Sequence, residues 1–194
     1  MTRIIAGDHG GRRIAVPAKG TRPTTDRVRE AVFSRLASED RLRGAVVLDA
    51  FAGSGALGIE ALSRGAASST FVESAAWAAA VIRDNLNDLG LAPSATLVRQ
   101  KVLPWLRRTE ASFTLALLDP PYDLPLAELD ATLAALAPRL DPGAVVVLEW
   151  SSRSEEPSWT DDVAPAAVKR YGETTVYFAV AHGGPAFTPD SLDA

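Results

Sequence analysis

The 194-residue chain has no cysteine and only two histidines, His9 and His182. The missing thiols exclude disulfide staples, thiolate metal sites, iron–sulfur clusters and cysteine nucleophiles. So few histidines disfavour a Ser-His-Asp triad, and no metal is expected. No run approaches the ~20 apolar residues of a membrane span. The opening Met-Thr-Arg-Ile-Ile-Ala-Gly lacks the apolar core of a secretory signal. Repeats and low-complexity tracts are absent as well. What is present is a 47% hydrophobic chain, enough for one domain with a real core. A soluble, cytoplasmic, monomeric protein is expected.

The net charge is −4, but it is unevenly spread. Residues 1–44 hold ten Lys/Arg against five Asp/Glu, and residues 45–194 hold ten against nineteen. Nine of the ten cations in the first stretch are arginines. The planar guanidinium can give phosphate two parallel hydrogen bonds. A basic arm therefore precedes an acidic body.

The first twenty residues read as a β-hairpin. Arg3–Ala6 and Arg12–Val16 flank the loop Gly7-Asp8-His9-Gly10-Gly11, and Pro17 and Gly20 close it. From Pro23 to about Leu36 a helix is expected, with Thr24 or Thr25 as cap and Val28, Val32 and Leu36 four apart. Thereafter strands alternate with helices. Strands are expected at 45–48, 70–72, 96–98, 115–118 and 144–148, and helices at 56–64, 75–89 and 124–137. That alternation argues for an α/β fold with a mostly parallel sheet covered on both faces. Residues 168–171 and 174–180 read as an antiparallel hairpin added to that sheet. The organisation expected is a hairpin-and-helix extension over 1–43, a sheet domain over 44–181 and a flexible tail over 182–194.

Asp49, Glu73 and Asp119 each close a strand, which puts three carboxylates on the carboxyl rim of the sheet, where open α/β folds bind ligands. After Asp49 comes Ala50-Phe51-Ala52-Gly53-Ser54-Gly55, whose glycines allow close approach to the backbone. Gly53-Ser54-Gly55-Ala56-Leu57-Gly58 also satisfies the G-x-G-x-x-G pattern of dinucleotide sites, with Glu73 suitably placed for a ribose. A dehydrogenase is one reading. Against it, the Asp49 carboxylate four residues before Gly53 would repel a pyrophosphate and favour a ligand with a cationic part. S-adenosylmethionine carries a sulfonium and an ammonium, and offers Glu73 a ribose diol.

The second motif is Asp119-Pro120-Pro121-Tyr122. Two prolines fix the backbone and remove two N–H donors, so carbonyl oxygens are left beside an acceptor-only carboxylate. Converging acceptors are what the exocyclic NH₂ of a base requires. Holding both hydrogens lets the nitrogen pyramidalise and aim its lone pair at an electrophile. Tyr122 adds a ring for stacking, worth ~1–3 kcal/mol.

Together these residues resemble class I S-adenosylmethionine-dependent methyltransferases of exocyclic amines. The N-terminal stretches narrow the resemblance. Arg3-Ile4-Ile5-Ala6-Gly7, Gly11-Arg12-Arg13 and Thr21-Arg22-Pro23-Thr24-Thr25-Asp26-Arg27-Val28-Arg29-Glu30 are similar to the signature of the bacterial 16S rRNA (guanine(966)-N2)-methyltransferase family. The resemblance runs from about residue 2 to 180. It implies a Rossmann-like sheet of seven strands, the last antiparallel, with a small N-terminal hairpin. It further implies S-adenosylmethionine as donor and, as substrate, guanine of 16S rRNA in the small ribosomal subunit or its assembly intermediate. Asp49, Ala50, Phe51, Gly53, Ser54, Gly55 and Glu73 would hold the donor. Asp119, Pro120, Pro121 and Tyr122 would be catalytic, and Arg3, Arg12, Arg13, Arg22, Arg27 and Arg29 would grip RNA. Gln100-Lys101-Val102 stand where such enzymes usually place an acid near the cofactor adenine, which leaves those contacts to backbone amides. A DNA adenine or protein glutamine methyltransferase would share the tetrapeptide, and a non-catalytic ribosome-assembly module would share the fold.

Other residues carry less. Trp77 and Trp105 read as core residues, Trp150 lies near the rim and Trp159 in a loop. Glu149 ends a strand, facing either pocket or helix. His9 sits in the hairpin loop, and Arg107-Arg108 either extend the basic face or are solvated.

Overall fold

A computed structural model describes residues 1–16, 26–184 and 187. Arg22, the cap residues Thr24 and Thr25, and most of the expected tail lie outside the described residues. The chain starts with β1 (Thr2–Arg3) and β2 (Arg13–Ile14), antiparallel and pairing Thr2 with Ile14. After α1 (Asp26–Ser38) come β3 (Val46–Ala50), α2 (Ala56–Ser63), β4 (Ser68–Val72), α3 (Ala76–Leu89) and β5 (Ala95–Val98). Then follow α4 (Val102–Leu106), β6 (Phe113–Leu118), α5 (Leu126–Leu136), β7 (Leu140–Ser151), β8 (Val163–Tyr171) and β9 (Thr174–Ala181).

The larger sheet has seven strands in the order β5-β4-β3-β6-β7-β9-β8. β5, β4, β3, β6 and β7 are mutually parallel, and β9 runs antiparallel between β7 and β8. The chain builds outward to β5, then crosses to β6 on the far side of β3. That reversal between β3 and β6 opens a crevice at their carboxyl ends. It also sorts the helices. α2 and α3 pack on one face, where Ile59, Leu62, Ile82 and Leu86 meet Phe71, joined there by α1 through Val28, Val32, Phe33 and Leu36. α4 and α5 cover the other face through Val102, Leu106, Leu129 and Leu133.

Several elements depart from expectation: β1 and β2 are only two residues each, β8 starts at Val163 rather than at residue 168, and α4 and β7 differ more. α4 was not anticipated, because five residues containing Pro104 show no helical period. The proline is tolerated because it sits in the first turn, where its absent N–H would have no intrahelical partner. β7 is longer than the expected 144–148. Leu140 pairs with Phe113 of β6, and pairing resumes only at Val145 with Leu115, after Asp141-Pro142-Gly143 loop out at a Gly143 φ of 77°. At its far end β7 continues beside β9 to Ser151.

The N-terminal extension shares the core of the sheet domain. Ile4 and Ile14 are buried among Ile59, Leu62, Phe71 and Leu86. Glu60 of α2, fully buried, accepts the backbone N–H groups of Ile5 (2.7 Å) and Ala6 (3.1 Å). Ser63 accepts the N–H of His9 at its hydroxyl (3.0 Å) and that of Asp8 at its carbonyl (2.8 Å). Gly7 has a φ of 85°, and a Cβ there would lie 1.8 Å from the Ser63 carbonyl oxygen, so only glycine lets the hairpin seat on α2.

Candidate functional site

Ala50 of β3 pairs with Leu118 of β6, so the loop that follows β3 and the tetrapeptide that follows β6 leave the sheet side by side at the topological switch. The loop is held by side chains from both neighbours. Asp49 Oδ2 accepts the Gly58 N–H at 2.8 Å, and Glu73 Oε2 accepts the Gly53 N–H at 2.9 Å. The other Glu73 oxygen accepts the Ala75 N–H at 2.7 Å. The chain bends sharply between these ties. Phe51 takes a φ of 61°, uncommon for a residue with a Cβ, and Gly53 and Gly55 take 55° and 77°. Strain of this sort persists where surrounding contacts over-determine it. Gly58 serves packing: a Cβ would fall 2.4 Å from the Phe71 ring and 2.6 Å from the Ser69 hydroxyl.

Asp49 departs from the expectation of a carboxylate facing a ligand. It is 1% exposed and sits beneath the loop rather than on it. Burial pushes its pKa well above the ordinary carboxylate value. The Gly58 N–H opposes this, while the negative charges of Asp119 and Glu73 add to it. The three acids therefore sense one another across the crevice. Such a group favours a ligand that brings positive charge, as the sulfonium and ammonium of S-adenosylmethionine would.

Asp119 also lines a small cleft together with Pro120, Tyr122, Glu149, Trp150, Ser151 and Thr174. The Tyr122 ring is 54% exposed and Pro120 is buried, which gives an open aromatic plate on a fixed backbone. Trp150 is anchored by its indole N–H to the Glu155 carbonyl (3.1 Å). Glu149 is buried on the wall of this cleft, directly after the Leu148 that pairs with Leu118. This settles the choice between pocket and helix in favour of the pocket.

The arginines divide. Arg3, Arg12, Arg13 and Arg27 are exposed. Arg12 also donates to the Asp88 carbonyl at the end of α3 (2.7 Å). Arg29 is a correction, because it is 3% exposed. Its guanidinium donates to the Arg3 carbonyl, to Thr2 Oγ1 (3.2 Å) and to Asp26 (2.9 Å), so it holds β1 against α1 and does not face an RNA. Trp77 is the opposite correction: expected in the core, it is 51% exposed on the first turn of α3. Trp105 does pack inward, its ring 6.2 Å from that of Phe113.

Asn85 was not singled out from the sequence. It is buried on α3, and its amide is used completely. Oδ1 accepts the Ala15 N–H (2.8 Å), and Nδ2 donates to the carbonyls of Ala15 (3.0 Å) and Ser54 (3.2 Å). One side chain thus ties the arm to the glycine loop.

The family model described as Conserved hypothetical protein 95 matches residues 2–180. The chain is 36% identical over 179 residues to the Bacillus subtilis protein named Putative rRNA methyltransferase YlbH, covering 90% of this chain and 96% of that one. It is 38% identical over 151 residues to Ribosomal RNA small subunit methyltransferase D of Haemophilus influenzae, covering 76% and 77% respectively. Among solved structures, one titled Putative methyltransferase yhhF from Escherichia coli superposes with a TM-score of 0.84 at 30% identity, covering 94% of this chain and 99% of that one.

Proposed function

Because the chain belongs to the family described as Conserved hypothetical protein 95, we propose that it is an S-adenosylmethionine-dependent rRNA methyltransferase that modifies the exocyclic N2 amine of a guanine in 16S rRNA of the small ribosomal subunit. The observation that carries this reading is the adjacency of two motifs. The glycine loop 53–55 and Asp119-Pro120-Pro121-Tyr122 emerge from neighbouring strands, with Asp119 close enough to raise the pKa of Asp49. Relatives named as rRNA methyltransferases support the rRNA substrate, and the arginine-rich arm agrees with it.

When bound, S-adenosylmethionine supplies an electrophilic methyl group on a sulfonium that leaves as a thioether. Glu73, at the end of β4, would take the ribose hydroxyls, exchanging its present bond to the Gly53 N–H for them. The loop would set the methyl beside Asp119. Asp119 and the Pro120 carbonyl would accept the two hydrogens of the guanine amine and turn its lone pair toward the crevice. Tyr122 would stack the ring. Positioning of this kind can supply ~7–11 kcal/mol of barrier lowering. The methylated amine is acidic enough to lose its proton to water or to Asp119, so no histidine base is needed. The guanine must first leave its stack, at a cost of roughly a few kcal/mol, which exposed arginines can offset through phosphate contacts.

The test is transfer of a tritiated methyl group to undermodified small subunits and to naked 16S rRNA, followed by nucleoside analysis. N2-methylguanosine is expected. Label on adenine N6 or on protein would overturn the guanine assignment, and preferential binding of a nicotinamide dinucleotide in calorimetry would overturn the methyltransferase reading. Asp119→Ala should lower kcat at least a hundredfold while changing the dissociation constant of S-adenosylhomocysteine by less than about threefold. Equal losses in both would contradict its role at the amine.

A further inference from the structure

The arm accounts for positive charge on the face that carries α2 and α3. The other face has a concentration of its own. Residues 99–108 contain Arg99, Lys101, Arg107 and Arg108 and no acid, whereas the rest of the stretch 45–194 contains six cations and nineteen acids. All four cations are exposed. Arg99, Lys101 and Arg107 form no ion pair among the described residues. Arg108 is held by neutral groups alone: Nη2 donates to Gln100 Oε1 (2.9 Å) and Nε to the Pro104 carbonyl (3.1 Å). Its side chain is therefore ordered while its charge stays uncompensated.

Place matters as much as charge. The Val98 carbonyl accepts the backbone N–H of Glu73 (3.0 Å), so Arg99 leaves the sheet directly beside the acid assigned to the donor ribose. α4 then carries the chain onto the face opposite the arm, with Lys101 just before it and Arg107 and Arg108 just after. The two basic stretches therefore lie on opposite faces of the sheet. For a polyanion nearing the sheet, these two stretches are places where an otherwise acidic chain offers clustered positive charge. Guanidinium pairs with fixed geometry suit phosphate oxygens.

We propose that residues 99–108 form a second phosphate-binding surface, so that the RNA backbone straddles the rim and touches both faces of the sheet. The inference rests on the rRNA reading and adds to it a substrate folded widely enough to span α3 to α4. Arg107→Ala/Arg108→Ala tests it on exposed residues outside the catalytic and donor-binding groups. Binding to naked 16S rRNA and to undermodified subunits is measured across a salt series, with S-adenosylhomocysteine affinity as a control of folding. Two lost phosphate contacts should flatten the log K versus log[salt] slope by about 1.5 and raise KM, with kcat at saturating RNA within about twofold and the control unchanged. Adding Arg12→Ala/Arg13→Ala should flatten the slope again by a similar amount. An unchanged slope in the α4 variant, beside a flattened one in the arm variant, overturns the second surface. A loss on subunits alone, in a system whose wild type binds both, also overturns it and assigns the patch to an acidic ribosomal protein. A wild type that binds neither RNA form overturns the underlying reading as well.

Discussion

At Asp49, burial and two anionic neighbours outweigh one donated hydrogen bond, and the folded-state pKa lies well above the ordinary value. The sign of the consequence follows from linkage. Below the unfolded-state pKa, near 3.9, the carboxyl is neutral in both states and costs nothing. As pH rises past that value the unfolded chain releases its proton first, so stability falls until the folded-state pKa is passed. Asp49→Asn removes the titration and keeps an oxygen for the Gly58 N–H. Its melting temperature should exceed that of the wild type at pH 8, and the gap should close toward pH 4. A gap of equal size at both values would mean that the carboxylate carries no penalty. A cationic donor placed near this group favours its ionised form. Donor binding by the wild type should therefore release protons, visible as a dependence of the calorimetric heat on buffer ionisation, and binding by the variant should release fewer.

At the scale of elements, α2 and α3 each do two jobs. Their inner faces pack on the sheet, and residues on their flanks hold the arm. Asn85 joins both jobs to the loop before α2. In Asn85→Ala the Ala15 N–H and the carbonyls of Ala15 and Ser54 lose their partner in a part-buried setting, a loss of roughly 0.5–1.5 kcal/mol. Because one of those carbonyls belongs to the glycine loop, S-adenosylhomocysteine affinity should fall several-fold along with the denaturation midpoint. A lower midpoint with unaltered affinity would reduce Asn85 to a packing residue. Much of this scaffold is legible in the chain itself. Carboxylates at strand ends, glycines at turns and apolar runs give the sheet, its rim and both motifs. Helical spacing marks the buried stripes as well. Val28, Arg29, Val32, Phe33 and Leu36 form one buried stripe, so Arg29 belongs to the interior. On α3 the stripe is Ala78, Ala79, Ile82, Asn85, Leu86 and Leu89, which includes Asn85 and leaves Trp77 outside. Other features are beyond local pattern. α4 is too short to show a period, and Glu60 binds Ile5 and Ala6 across more than fifty residues of sequence. Glu149 is legible as the residue closing the 144–148 strand, but which side it faces is not.

For the molecule as a whole, the charge split is an orienting device. On the proposed function, an acidic body would keep a polyanion off much of the surface while basic patches attracted it, so encounter would be steered as well as strengthened. That division works only if the arm stays in place, and its attachment goes beyond what an appendage needs. Ile4 and Ile14 are almost fully buried, and burial of each contributes ~1.5–3 kcal/mol. A chain beginning at residue 26 would expose their partners Ile59, Leu62 and Phe71 and leave Glu60 without its two backbone donors. For a domain of this size each kcal/mol corresponds to roughly 2–4 °C, so the truncated protein should melt on the order of 10 °C below the intact one. It should also bind S-adenosylhomocysteine more weakly, because Asn85 would hold the Ser54 carbonyl without its anchor at Ala15. A truncation that melts with the intact protein and keeps full affinity would show that the arm only touches the body. The loss of RNA binding that follows its removal would then be a matter of charge alone.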